Sequence, residues 1–215
     1  GTILSDVIVE VAGKPSFGRQ MGSYPILVGI PLVLPAGSVL DAVVVGSLLI
    51  TLLRASDRVH AACLAQLVNT ISAIRTEPGG PAWRQSIFHP FSLTARHAAG
   101  DVLRPDLTAP TLDTAKHGTV PVLDAVATWD ADARRLAVFV VNRDPDEAVI
   151  FEVPLVAFGD ARLAQATELA DDDRFACNTQ DEPDRVVPHA HPRAGPDVPR
   201  AVLVLAHVFG LSTAS

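Results

Sequence analysis

Residues 38–55, SVLDAVVVGSLLITLLRA, constrain the chain most. Ser38 suits a helix N-cap, and Asp41 then falls at N3, where a carboxylate faces the positive helix end. The segment behind this start is apolar on nearly every side. A helix with no polar face must be covered, by protein or by lipid. Pro31, Pro35 and Asp41 interrupt the wider apolar stretch, and the unbroken part, Ala42–Leu53, is 12 residues long. A spanning helix needs about 20. The spacing therefore predicts a helix buried against other protein, and no membrane partner is expected.

The rest of the first hundred residues reads as α/β. Residues 1–12 carry the β-branched run Val7–Ile8–Val9 with Val11, a strand signal. Residues 13–24 are turn-rich. Residues 25–37 contain Pro25, Pro31 and Pro35, too many for a helix interior. Val59–Val68 has the length of a buried strand. Residues 76–85 form a Pro/Gly loop, and residues 86–98 predict a short helix with Pro90 in its first turn.

Beyond Gly100 the pattern becomes strand after strand. Val120–Thr128, Leu136–Asn142 and Ala148–Val153 are joined by Asp- and Pro-rich connections, as in an antiparallel sandwich with Val138, Val140, Ile150 and Val153 facing inward. Residues 178–200 read as a long loop, and AVLVLAHVFG as a last strand. Two regions follow: 1–100, in which residues 1–37 are atypical, and 101–215.

The chain of 215 residues has 48% hydrophobic and 19% charged residues, which excludes a wholly disordered chain. Its formal charge of −7 argues against nucleic acid as a partner. Two cysteines make no disulfide framework, and no basic stretch followed by an apolar run opens the sequence, so a reducing, cytoplasmic setting is expected.

Motifs for most chemistries are missing. There is no G-x-S-x-G, no G-x-G-x-x-G and no Walker lysine. His60 with Cys63, and His189 with His191 and Cys177, do not form two matching ligand pairs, so neither a metal nor a cofactor is expected. Cys63 reads as an inert core thiol. Glu10, after the run Val7–Val9, and Glu77, after the segment ending near Ile74, stand where a barrel enzyme would place carboxylates. Each also reads as an ordinary solvated glutamate. Gln66 and Asn69 end an otherwise apolar strand. Their amides need partners there, either within the protein or on a ligand.

Residues 57–69, DRVHAACLAQLVN, resemble the last barrel strand of α-L-arabinofuranosidases of glycoside hydrolase family 51. Residues 76–91, TEPGGPAWRQSIFHPF, are similar to the loop and helix that follow it. Residues 138–143, 178–179 and 183–188 (VFVVNR, NT and PDRVVP) resemble the family's C-terminal β-domain. The resemblance spans about residues 39–190. It implies an α/β plus all-β chain: the C-terminal remnant of a (β/α)8 TIM barrel, then an antiparallel β-sandwich. It also implies a retaining glycoside hydrolase that removes terminal arabinofuranosyl units from arabinan and arabinoxylan, forms homo-oligomers at full length and needs no cofactor. Gln66 matches the glutamine that bonds the arabinose ring.

The family's acid/base glutamate lies in an Asn-Glu pair and its nucleophile in an Asp-Glu-Trp-Asn motif. Neither motif occurs in this sequence. Glu10 is then a weak nucleophile candidate, and this stretch alone is expected to be inactive. A stand-alone β-sandwich that binds carbohydrate or a partner is the alternative, with Trp83 and Trp129 as its available indole platforms.

Overall fold

The computed structural model describes residues 3–10, 25–32, 37–64, 68–69, 71–144, 147–149, 151–153, 156–158, 164–190 and 202–206, with 3–10, 25–32 and 202–206 as backbone. Three strands, β1 (Ile3–Glu10), β2 (Pro25–Leu32) and β3 (Ala61–Leu64), make one sheet in the order β2-β1-β3, with both pairings antiparallel. Between β2 and β3 lies helix α1 (Val39–Arg54). A short hairpin of β4 (Ile74–Thr76) and β5 (Ala82–Arg84) precedes helix α2 (Phe88–His97).

The main sheet has six strands. β6 (Asp101–Leu103), β9 (Leu123–Asp130), β10 (Arg135–Asn142), β11 (Gln165–Leu169), β12 (His189–Ala190) and β13 (Val202–Ala206) run in the order β12-β11-β13-β10-β9-β6. A separate hairpin, β7 (Thr111–Thr114) and β8 (Gly118–Pro121), lies between β6 and β9 in sequence.

Helix α1 starts as its sequence predicts. Ser38 Oγ accepts from the Asp41 amide at 3.3 Å. The Asp41 carboxylate accepts in turn from the Ser38 and Gly37 amides, each at 2.9 Å, which completes a capping box. Proline at the third residue of α2, Pro90, costs no intrahelical bond there.

Alternation along β9 and β10 divides the core in two. Val126, Ala137, Phe139 and Val141 face the helices and pack with Val39, Ala42, Val43 and Ile50 of α1 and Leu93 of α2. Leu123, Ala125, Ala127, Leu136, Val138 and Val140 face the other way. The apolar helix is thus covered by the six-stranded sheet on one side and by Ile87 and Phe91 on another. No helix among the described residues is long and apolar enough to cross a membrane.

Three features differ from the sequence reading. First, the described parts of residues 148–153 form no strand. Val149, Phe151 and Val153 still pack on the inward-facing Val138 and Val140, but as coil, while Ile150 lies outside the described residues. Burial of alternate side chains does not require ladder hydrogen bonds. Second, β13 enters the middle of the sheet and pairs parallel with both β10 and β11, so the sheet is mixed. Third, Cys63 is exposed and not a core thiol. Among the described residues β3 pairs with β1 alone, and its residues alternate between exposed and half-buried.

Candidate functional site

The family-like strand end is built around Asn69. Gln66 lies outside the described residues. Asn69 adopts φ +61°, a left-handed conformation that asparagine tolerates better than most residues. Its amide donates to the Ile74 carbonyl at 2.8 Å, and its carbonyl accepts from the Ser72 amide at 2.8 Å. Its side-chain Oδ1 accepts from the Thr76 amide at 2.8 Å and Nδ2 donates to Thr76 Oγ1 at 2.9 Å. Asn69 therefore closes the loop into β4 and satisfies its amide within the protein, one of the two readings its position left open.

The carboxylates do not gather at this edge. In the β1–β3 register Glu10 stands opposite Ala61, at the start of β3. Strands of a barrel run parallel and bring their C-terminal ends to one rim. The antiparallel β1 instead carries Glu10 to the opposite end. Glu77 is exposed in the β4–β5 turn, where its amide donates to the Pro81 carbonyl at 3.2 Å.

The hairpin is fastened from the far end of the chain. Asn178 is 5% exposed and its amide is fully engaged. Nδ2 donates to the carbonyls of Arg84 and Val186, each at 2.9 Å, and Oδ1 accepts from the Val186 amide at 2.6 Å. The Asn178 carbonyl accepts from Trp83 Nε1 at 3.1 Å. Just before it, the carbonyls of Arg174 and Ala176 accept from the amides of Leu40 and Val39, the first residues of α1. Residues 174–178 thus tie the start of α1 to β5. Sequence reasoning did not single out Asn178; its place in the family-like run 178–188 was the one available signal.

Burial sets the electrostatics of this region. Asp41 is pushed above the usual carboxylate range by desolvation, against the lowering effect of its bonds to Ser38 and Gly37. His89, 6% exposed, is lowered to about 4, first by burial and then by the Arg84 charge. It is a neutral imidazole at neutral pH, and its Nε2 has no protein partner. The Cys177 thiol is raised, chiefly by burial, so it is not an activated thiolate. Among the described residues no three His, Cys, Asp or Glu side chains converge as metal ligands.

Neither indole is an open platform. Trp83 is held by Asn178, and Trp129 packs on Phe158 with ring centroids 5.1 Å apart. A binding module built on stacked sugars finds no support in this arrangement.

Comparison with known proteins decides the family. The α-L-arabinofuranosidase C-terminal domain matches residues 33–201. The chain belongs to this family. An intracellular exo-α-(1→5)-L-arabinofuranosidase of Streptomyces lividans is 52% identical over 152 residues, 71% of this chain and 23% of that protein. An exo-α-(1→6)-L-arabinofuranosidase of Bifidobacterium longum is 50% identical over 153 residues, 71% of this chain and 29% of that protein. The solved structure of AbfB, a family 51 α-L-arabinofuranosidase from Bifidobacterium longum, superposes with a TM-score of 0.62 at 40% identity, covering 71% of this chain and 30% of that one. The arabinofuranosidase of Thermotoga maritima, 23% identical with a TM-score of 0.57, shares the fold. The chain thus spans about a quarter of the length of the curated relatives it matches.

Proposed function

We propose that the chain is the C-terminal portion of a retaining, intracellular α-L-arabinofuranosidase acting on terminal arabinofuranosyl units of arabinan- and arabinoxylan-type glycans. On this reading residues 1–100 correspond to the end of the catalytic barrel and residues 101–215 to the β-domain. Gln66 is its sugar contact, since a side-chain amide both donates to and accepts from ring hydroxyls. The whole protein assembles with copies of itself and uses no cofactor. The observation that carries the reading is the 52% identity over 152 residues to an intracellular exo-acting relative.

Retention needs two carboxyl groups about 5–5.5 Å apart, one as acid/base and one as nucleophile. The sequence holds neither the Asn-Glu pair nor the Asp-Glu-Trp motif. The register of β1 also sets Glu10 opposite Ala61, at the start of β3. This chain by itself therefore supplies sugar contacts and a scaffold, and no hydrolysis. Release of L-arabinose from an aryl arabinofuranoside by the purified chain tests this. The expected rate is that of the uncatalysed reaction. Turnover at an enzyme-like rate, abolished in Glu10→Gln, would overturn it.

A further inference from the structure

We propose that the cavity between α2, β5, β11 and β12 binds a small polyhydroxylated anion, a sugar that carries a carboxylate or a phosphate group.

The cavity measures about 400 Å3. That is at the lower end of the roughly 300–1,000 Å3 of small-ligand pockets and gives room for a single sugar unit. One face of α2 lines it: His89, Ser92 and Arg96 stand three and then four residues apart, the spacing that brings side chains together on a helix. β11 contributes Gln165 and Thr167, alternate residues on one face of the strand. Arg84 of β5 and His189 of β12 also line it.

Two guanidinium groups and no carboxylate line the cavity. Among the described residues neither Arg84 nor Arg96 takes part in an ion pair. Arg84 instead lies 5.2 Å from the centre of the Phe88 ring, a contact that restrains the cation without neutralising it. Asp184, whose charge acts on His89, is exposed and is not part of the lining. The positive charge is therefore available to an oxyanion, which a guanidinium binds through paired N–H donors.

The neutral groups of the lining suit hydroxyls. His89 is 6% exposed, its ring bonds the Val186 carbonyl, and its Nε2 has no partner among the described residues. The bond to the carbonyl puts the ring proton on Nδ1 and leaves Nε2 with its lone pair. A lone pair accepts from a ligand O–H and has nothing to give a bare anion. Thr167 Oγ1 accepts from Gln165 Nε2 at 2.9 Å and can still donate its own proton. His189 Nδ1 donates to the Val187 carbonyl at 3.1 Å, which leaves its Nε2 as an acceptor. Inorganic phosphate would satisfy the arginines and leave these acceptors unpaired. A neutral sugar would do the reverse. A sugar with one acidic group satisfies both.

Titration of the whole chain with D-glucuronate, glucose 6-phosphate, D-glucose and inorganic phosphate tests the proposal, read by calorimetry and by the nitrogen resonance of His89 Nε2. At least one of the two sugar acids is expected to bind about tenfold or more tightly than both D-glucose and inorganic phosphate, and to shift the Nε2 resonance. The tighter of the two tells whether the acidic group is a carboxylate or a phosphate. Arg96→Gln, at an exposed position of α2, is expected to weaken that binding at least about tenfold, with D-glucose affinity changing by less than about twofold. Arg84→Gln is expected to act in the same direction. Inorganic phosphate binding as tightly as the sugar acids would reduce the cavity to a patch of positive charge and overturn the proposal. D-Glucose binding as tightly would overturn it by removing the anion. Sugar-acid affinity unchanged in both arginine variants, or no saturation by either acid below about 10 mM, would overturn it as well.

Discussion

Arg54, the last residue of α1, places Nη2 2.7 Å from Oδ1 of Asp124 in β9, with Asp124 only 4% exposed at its side chain. Arg143, which follows β10, binds the other carboxylate oxygen. Arg54 also donates to the Ala125 carbonyl at 2.6 Å. Helix α1 is thus anchored to the six-stranded sheet by charge as well as by apolar contact. Removing the shared anion leaves two guanidinium groups without a counter-charge, whereas removing one guanidinium leaves Asp124 with the other. Asp124→Ala is therefore expected to cost about 3 kcal/mol and Arg54→Ala about half of that, read by urea unfolding. Both arginines keep about a third of their side-chain surface, so water recovers part of the loss.

Gly100 and Gly118 both have positive φ, +76° and +64°, and should respond differently to alanine. A Cβ at Gly100 would meet the Trp129 carbonyl oxygen at 2.1 Å, and backbone cannot move aside as a side chain can. At Gly118 nothing lies within 4 Å. Gly118→Ala is expected to cost about 1 kcal/mol, the conformational penalty alone. Gly100→Ala should cost several times more, because β6 must part from β9 where Asp101 pairs with Trp129. Thermal unfolding of the two variants checks the order.

His89 should make the fold acid-sensitive. Its folded-state value of about 4 lies below the ordinary 6.5, so the unfolded chain takes up a proton that the folded chain resists. The contribution of the neutral ring is fully present above pH 6.5, declines as pH falls toward 4 and is lost below that. The shift corresponds to roughly 3 kcal/mol. Asp41, held above its usual range, works in the opposite direction: its raised value favours the folded state at low pH and is lost as pH rises through it. His89→Phe isolates the histidine. Its stability should lose most of the pH dependence between 4 and 6.5, and an unchanged pH profile in that variant would refute the assignment.

Local chemistry explains what the sequence disclosed. Ser38 and Asp41 announce α1 because a capping box involves four neighbouring residues, and Pro90 marks α2 because the first turn alone tolerates it. The alternation of β10 shows both of its faces. Features that join distant segments were not legible. Nothing in AVLVLAHVFG says that Val202–Ala206 would pair parallel in mid-sheet, nor that Asn178 would bind Arg84. Residues 149, 151 and 153 carry the apolar pattern of a strand, but the pattern reports burial and not hydrogen-bond partners. Gln66 was identified by resemblance to a family, since a lone strand-end amide does not name its ligand.

The strands β3 and β10 should differ in local stability. β10 is buried from Leu136 to Asn142 and is paired on both sides, by β9 and β13. Among the described residues β3 is an edge strand paired with β1 alone, and Ala61 and Cys63 are exposed. An amide whose strand has one neighbour and little apolar cover opens through small local fluctuations, while one in the centre of the sheet exchanges only through larger openings. Val39, Ala42, Val43 and Ile50 of α1 pack on the sheet face with Phe139 and Val141, so β3 gains no cover from these four. Exchange at Ala61–Leu64 is therefore expected to run at least about a hundredfold faster than at Val138–Val141. Equal protection of the two strands in a monodisperse monomer would show instead that β3 is as firmly held as the centre of the six-stranded sheet.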